Sequence, residues 1–220
     1  MNKIQYEAIE KTIELPNHVV LSNQLQELIK IHYPNVNLAI VSREGSERLK
    51  KFISELDLNT FPSLLKSFHY SECSEILKKH FKGISKDETG LNLFINDISA
   101  ITKEYSRIVA EEIIRFNLYI VEDDMCKYFH SDYNNLRLLC TYHGEGTQWI
   151  ENHNANRNKM GCEKNEEILI DSSAINQLKT FWIALLKGQA YPNNLGNGII
   201  HRSPPMGEKK NKRILLKLDA

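Results

Sequence analysis

The chain has 220 residues, of which 41% are hydrophobic and 25% are charged, which are ordinary values for a folded globular protein. Its 28 basic residues balance its 28 acidic ones, so no overall basic field exists to hold a nucleic-acid backbone. This composition argues against general disorder and against nucleic acid as a main partner.

The N-terminal sequence and the cysteines bear on location. The first residues, MNKIQYE, lack the basic stretch followed by an apolar stretch that is typical of a signal peptide. No run of about 18 apolar residues occurs, so no membrane span is expected. The four cysteines contain no C-x-x-C pair and match no small disulfide scaffold. We therefore expect a cytoplasmic protein with reduced thiols.

The first 116 residues are predicted to form a mainly helical region. Helices are predicted over residues 24–31, 46–56 and 71–82, with a strand over residues 36–40. The strongest helical pattern runs from Phe94 to Phe116, where apolar residues recur every three or four positions. Such a stripe is typical of a helix face that packs on a core.

Residues 117–220 are predicted to be rich in strands. Short apolar runs separated by glycine and asparagine clusters are typical of a sandwich or barrel. These runs cover residues 118–121, 136–142, 168–170, 181–186, 199–200 and 214–218. The predicted fold is α+β: a C-terminal double-stranded β-helix of the jelly-roll or cupin type, with the helical region packed on it as one integrated domain.

A metal site is predicted from His130, Asp132 and His201. In an extended strand, residues i and i+2 point to the same face, so His130 and Asp132 can reach one metal ion. His201 follows an apolar pair at a strand end and can supply the third ligand. Two histidines and one carboxylate with open positions are typical of non-haem Fe(II) oxygenases. The alternative is a pair of polar surface residues and an unrelated buried histidine.

Other residues extend this hypothesis. Arg137 and Tyr142 flank the strand after Asp132 and are candidates for binding a co-substrate, although an arginine there more often forms an ion pair at the barrel rim. Cys126 and His143 are candidate additional ligands. Together with His130 and Cys140, they also make an alternative closed zinc site of two cysteines and two histidines, although its spacing matches no familiar zinc finger.

Several segments of the second half carry a family resemblance. They are FHSD at residues 129–132, LRLLCTYHGEGTQW at 136–149, ALLKG at 184–188, the stretch 196–205 and RILLKLD at 213–219. The chain resembles, from about Cys126 to its end, an uncharacterised bacterial family described only as a domain of unknown function. Members of that family often lie beside zinc-starvation genes and metallochaperone GTPases, which implies a metal-linked role.

The triad is also remotely similar to that of the 2-oxoglutarate-dependent oxygenases. In those enzymes a basic residue some ten to thirteen positions after the distal histidine pairs with the far carboxylate of the co-substrate. Arg213 lies twelve positions after His201, and a guanidinium can bind a carboxylate through two hydrogen bonds. The resemblance implies that Arg213 binds 2-oxoglutarate, whereas the other residues of the charged run that begins at Glu208 are typical of a solvated hairpin tip.

Three functions follow from this sequence. The first is an Fe(II)- and 2-oxoglutarate-dependent hydroxylase of unknown substrate, either a small molecule or a protein. The second is a non-catalytic protein that holds Zn(II) or another divalent metal at the same triad. The third is a metal-free sugar or peptide binder on a jelly-roll scaffold. The oligomeric state is left open.

Overall fold

The computed structural model describes residues 17–122, 126–205 and 212–220. The predictions for the N-terminal residues, and part of the charged run that begins at Glu208, lie outside these ranges. The described strands are β1 (Val19–Ser22), β2 (Leu38–Val41), β3 (Leu64–His69), β4 (Ile113–Val121), β5 (Leu136–His143), β6 (Gln148–Ile150), β7 (Asn176–Gln177), β8 (Ile183–Lys187), β9 (Ile200–Arg202) and β10 (Arg213–Asp219). The described helices are α1 (Glu47–Ser54), α2 (Cys73–His80), α3 (Glu88–Val109) and α4 (Asn165–Ile168), with 3₁₀ turns that include Leu25–His32. Within those ranges, no helix combines the length and apolarity that crossing a bilayer requires.

The strands form two sheets. The larger sheet has seven strands in the order β1-β2-β8-β5-β10-β4-β3, and all its pairs are antiparallel except β1 with β2. The smaller sheet has the order β7-β6-β9, and a bridge between His130 and His201 continues it beyond β9. The chain is therefore a mixed α/β protein with a large, mainly antiparallel sheet.

The two faces of the large sheet pack against different partners. Because side chains alternate along a strand, Leu138 and Cys140 of β5 belong to the main core, which contains the apolar face of α3. Leu139 belongs instead to a second core, which contains Trp149 of the smaller sheet. The second core lies between the two sheets, and this is where the candidate site is found.

Helix α3 differs from its prediction at both ends. It begins at Glu88, where the Asp87 side chain caps the helix by accepting a hydrogen bond from the Gly90 amide at 3.0 Å. It ends at Val109 because Ala110 adopts a left-handed conformation, with φ of 56°. The apolar residues beyond that point alternate in the manner of a strand and belong to β4, so the predicted helical end near Phe116 was wrong.

The first 116 residues contribute more strand than expected. Strands β1, β2 and β3 all come from this region and form both edges of the large sheet, whereas only the strand at residues 36–40 was predicted. The predicted strand at 168–170 is also wrong, because Ile168 ends α4 and Leu169 makes only an isolated bridge with Ala155. The proposed division between residues 116 and 117 falls inside β4, and it stays a prediction.

Packing of α3 on the large sheet should dominate stability. Ile98 on this helix is fully buried in the main core, whereas Leu93 on the same helix is 37% exposed. We expect Ile98→Ala to lower the free energy of unfolding by about 2–5 kcal/mol, because it removes buried methyl groups and leaves a cavity. Leu93→Ala is the matched control and should cost much less. Chemical denaturation of both variants measures the difference, and equal costs would contradict this account of the core.

Candidate metal centre

A short antiparallel bridge brings His130 and His201 together. The His130 amide donates to the His201 carbonyl at 3.0 Å, and the His201 amide donates back at 2.9 Å. Residues directly opposite each other in an antiparallel pair have side chains on the same face. The two imidazole rings accordingly lie with their centroids 4.6 Å apart, although 71 positions of sequence separate the residues.

Asp132 completes a group of three. One ligand atom from each of His130, Asp132 and His201 lies within 4.8 Å of the others. The Nε2 atom of His130 is 3.6 Å from Asp132 Oδ1, and the Nε2 atom of His201 is 3.3 Å from Asp132 Oδ2. The structure therefore brings together the three residues that the sequence pattern selected, and both imidazoles direct the same type of nitrogen at the carboxylate.

The other nitrogen of each imidazole faces a backbone carbonyl. His130 Nδ1 lies 2.9 Å from the carbonyl oxygen of Tyr128, and His201 Nδ1 lies 3.3 Å from that of Ile199. A carbonyl oxygen only accepts, so in a neutral ring Nδ1 carries the proton and Nε2 keeps its lone pair. A hydrogen bond from the second ring nitrogen to a carbonyl oxygen orients a histidine ligand toward a metal.

The three side chains and Arg137 are electrostatically coupled. Burial alone would raise the pKa of Asp132, but the neighbouring His130 and His201 imidazoles and the charge of Arg137 hold it well below its usual value. Burial opposes protonation of His130, but the neighbouring Asp132 carboxylate raises its pKa overall. Asp132 is thus an anion that lies beside two imidazole nitrogens, and Arg137 Nη1 is 2.6 Å from its Oδ2 atom. A cation fits this donor set.

The proposed additional ligands are not part of this group. Among the residues that the structure describes, the cluster contains neither Cys126 nor His143, and Cys126 is solvent exposed. Cys140 faces the main core, where its thiol contacts the Phe181 carbonyl oxygen at 3.7 Å. The structure therefore does not assemble the alternative closed zinc site of Cys126, His130, Cys140 and His143, because Cys126 is exposed, Cys140 lies in the main core and His130 pairs with the smaller sheet.

Arg213 is a buried arginine at the first position of β10. Only 1% of its surface is exposed, and its Nη2 atom donates to the hydroxyls of Thr141 at 3.2 Å and Thr147 at 3.4 Å. Its Nε atom has no partner, and no described carboxylate forms an ion pair with it. Burial lowers the pKa of Arg213 to about 10, so the guanidinium remains charged at neutral pH. A buried cation without a counter-ion is costly, which favours an anionic ligand here.

Arg137 is already engaged by two carboxylates. Its Nη1 atom lies 2.6 Å from Asp132 Oδ2, and its Nε and Nη2 atoms donate to the two oxygens of Asp219 at 2.7 and 3.1 Å. Arg137 therefore does not offer a free guanidinium to a co-substrate, as one of its two sequence interpretations required. The structure favours the other interpretation, in which Arg137 forms ion pairs.

Tyr142 lies on the wrong face of β5 for co-substrate binding. Its ring packs edge-on against Phe94 of α3 in the main core, and its hydroxyl donates to Asp97 Oδ2 at 2.6 Å. Arg43 binds the same carboxylate through both terminal nitrogens. Tyr142 thus belongs to a buried polar network that ties β2, α3 and β5 together, and its proposed role at the site was wrong.

This location gives Tyr142 a structural role that can be measured. We expect Tyr142→Phe to lower the free energy of unfolding by about 1.5–3 kcal/mol, because it removes a buried hydrogen bond to a charged group. Metal binding should be unchanged, since the ring faces away from the triad. Denaturant titration and metal titration of the same sample test both statements, and a loss of metal affinity without a loss of stability would contradict them.

Sequence reasoning missed three residues that organise the site. Thr141 is the neighbour of the wrongly chosen Tyr142, and a shift of one position in a strand moves a side chain to the opposite face. Thr147 precedes β6 and holds Arg213 from the smaller sheet. Asp219 lies at the end of β10, directly across from Arg137 of β5. Strict alternation from Arg137 through Leu139 would have selected Thr141, but no local pattern marked Thr147 or Asp219.

Comparison with known protein families gives a match over most of the chain. Residues 22–219 match the family described as "Protein of unknown function (DUF1826)". The chain belongs to this family. The DUF1826 match includes strands β2 to β10, the triad and Arg213, and it agrees with the resemblance to a domain of unknown function. No curated protein matches the chain. The genomic association with zinc-starvation genes stays a prediction.

Solved structures that resemble this DUF1826 protein are distant. One is the dioxygenase for auxin oxidation 1 from Arabidopsis thaliana, a binary complex with 2-oxoglutarate, with 11% identity, 91% of each chain covered and a TM-score of 0.49. The dioxygenase for auxin oxidation from rice has 11% identity, covers 91% of this chain and 81% of its own, and has a TM-score of 0.43. An N-substituted L-amino acid dioxygenase from Burkholderia ambifaria has 12% identity, with 88% and 85% covered and a TM-score of 0.40. Since fold likeness at this level does not transfer function, the site itself must carry any functional assignment.

Proposed function

We propose that this DUF1826 protein is a non-haem Fe(II)- and 2-oxoglutarate-dependent oxygenase that oxidises a small molecule or a protein. The main support is the cluster of two imidazole nitrogens and one carboxylate that His130, His201 and Asp132 form between the two sheets. Three protein ligands of this kind leave further coordination positions free for other ligands. Fe(II) bound there would supply the activation of dioxygen, coupled to the loss of carbon dioxide from 2-oxoglutarate and to oxidation of the second substrate.

The strand order supports a double-stranded β-helix. From β4 onward, the segments in chain order are β4, the His130 segment, β5, β6, β7, β8, β9 and β10. The large sheet takes four of them in the order β8-β5-β10-β4, and the smaller sheet takes the others in the order β7-β6-β9 followed by the His130 segment. We propose that these eight segments are the two layers of a jelly roll, with the metal ligands on the smaller layer.

Arg213 is the proposed anchor for the far carboxylate of 2-oxoglutarate. On β5, Arg137 contacts Asp132 of the triad, and Thr141 contacts Arg213. Thr141 lies four residues after Arg137 on this strand. Four residues of a strand span about 13 Å. The reach of the two arginine side chains shortens the free distance between the triad and the Arg213 guanidinium. Leu139 lies between them and belongs to the core between the sheets. A metal site and a buried guanidinium separated by an apolar side chain would suit the two ends of a dicarboxylate.

The alternative is a non-catalytic protein that binds zinc or another divalent metal at the same three residues. A buried guanidinium that pairs with no carboxylate of the described residues has no role in that alternative, and this is the observation that favours the oxygenase. The finding that the described cluster holds no cysteine also disfavours a closed thiolate site for zinc.

Turnover of 2-oxoglutarate by the full chain tests the proposal. The protein, prepared without oxygen and loaded with Fe(II), should form succinate from 2-oxoglutarate and dioxygen in the presence of ascorbate, even before its substrate is known. Replacing Fe(II) by Zn(II) should abolish succinate formation while the metal still binds. Metal binding without succinate formation or any response to 2-oxoglutarate would support the alternative, and no metal binding would leave only a metal-free sugar or peptide binder.

A further inference from the structure

Arg137 and Asp219 form a partly buried ion pair beside the triad. Asp219 is only 3% exposed, and both its oxygens accept hydrogen bonds from Arg137, at 2.7 and 3.1 Å. The Asn134 side chain also donates to Asp219 Oδ1 at 3.2 Å. The two residues lie directly opposite each other on β5 and β10, in the middle of the large sheet. Two central strands therefore fix the guanidinium on one side.

The remaining nitrogen of the same guanidinium reaches the triad. Arg137 Nη1 lies 2.6 Å from Asp132 Oδ2, while Asp132 Oδ1 lies 3.6 Å from His130 Nε2. Asp132 follows the isolated bridge at His130 and lies outside any regular strand. The Gln189 amide donates to its carbonyl oxygen at 2.9 Å, which holds the backbone but does not orient the carboxylate. A planar guanidinium can bind two carboxylates at once in a fixed geometry, which a lysine ammonium cannot do.

We propose that Arg137, fixed by Asp219, is a positioning residue that holds Asp132 in the orientation required for metal binding. The guanidinium engages one carboxylate oxygen and leaves the other for the metal. The inference rests on the proposed metal site and goes beyond it, because it assigns the shape of that site to an ion pair on the opposite sheet. It also gives a reason for the close approach of three charged side chains at this place.

A purely electrostatic role and a positioning role for Arg137 predict opposite effects of its replacement on metal affinity. If Arg137 acted only through its charge, Arg137→Gln would leave two uncompensated carboxylates near the metal, and the affinity for a divalent cation would rise. If Arg137 positions Asp132, the same substitution releases the carboxylate, and the affinity falls. Loss of an outer-shell partner of a metal ligand typically weakens metal binding by about 10- to 100-fold.

Titration of the full chain with Co(II) separates these alternatives without relying on activity. We expect Arg137→Gln to weaken Co(II) binding by about 10- to 100-fold and to change the visible absorption spectrum of bound Co(II). Arg137→Lys keeps the charge but cannot bridge both carboxylates, so it should also weaken binding and change the spectrum. Asp219→Asn should act in the same direction. The double variant Arg137→Gln/Asp219→Asn should be no weaker than Arg137→Gln alone, because both changes disrupt one interaction.

The wild-type protein and a matched arginine variant make the test decisive. Arg107→Lys changes an arginine on the surface of α3 whose ion pair with Glu104 is remote from the site, and it should bind Co(II) as the wild type does. If the wild type binds no metal, the proposed function fails. If the wild type binds Co(II) and Arg137→Lys has the same affinity and spectrum, the positioning role is overturned. Should Arg137→Gln not fold, the lysine and Asp219→Asn variants still decide the question.

Discussion

Replacing His201 by alanine is expected to abolish metal-dependent turnover. His201 is 6% exposed, and its Nε2 atom points at Asp132, so no neighbouring side chain or bulk water can take its place in the same geometry. Loss of an outer-shell partner alone costs about 10- to 100-fold in metal affinity, and loss of a direct ligand should cost at least the larger value. Calorimetric titration with Fe(II) under anaerobic conditions measures the affinity, and succinate formation measures turnover.

Two further variants are controls for this experiment. His153→Ala removes an exposed histidine from a turn of the chain and should leave both measurements unchanged. His130→Ala should reproduce the loss seen in His201→Ala, because the proposed site needs both imidazoles. Unaltered Fe(II) affinity in folded His201→Ala and His130→Ala proteins would remove the metal site, and with it the oxygenase and the metal-binding alternative.

Replacing Arg213 by methionine should separate co-substrate binding from metal binding. Truncating one partner of a buried, hydrogen-bonded charge pair costs about 2–5 kcal/mol, which corresponds to a rise of about 30-fold or more in the Kd for 2-oxoglutarate. Fe(II) affinity without 2-oxoglutarate should stay as in the wild type. Arg213→Lys keeps the charge but loses the planar donor group, so its Kd should lie between those of the wild type and Arg213→Met.

The stability of Arg213→Met gives an independent check. In the absence of an anion, Arg213 is a buried cation held by two hydroxyl groups, so an apolar side chain of similar length should leave the free energy of unfolding unchanged or raise it. A purely structural arginine would show the reverse pattern. A large loss of stability together with an unchanged Kd for 2-oxoglutarate would contradict the assignment of Arg213.

The spacing of polar residues predicted that His130, Asp132 and His201 would lie together, because the argument used only short-range geometry. His130 and Asp132 are two positions apart, so any extended conformation places both on one side, and His201 was chosen because it follows an apolar strand. Arg213 was chosen by a distance along the chain that the resemblance to oxygenases supplied. Tyr142 failed for an equally local reason, since it lies an odd number of positions after Arg137, and an odd spacing along a strand puts two side chains on opposite faces.

The sequence by itself determined the strand-rich second half, its central strands β5, β8 and β10, and the identity of the three clustered residues. Those features depend on side-chain alternation and on short-range spacing, and both can be recognised within a single segment of the chain. Only the tertiary structure decided that β1 to β3 complete the large sheet, that Arg137 is held by Asp219, and that Thr141 and Thr147 hold Arg213. Each of these contacts joins segments that are far apart along the chain. Which segments pair and become buried together depends on the whole tertiary fold, and the composition of one segment does not determine it.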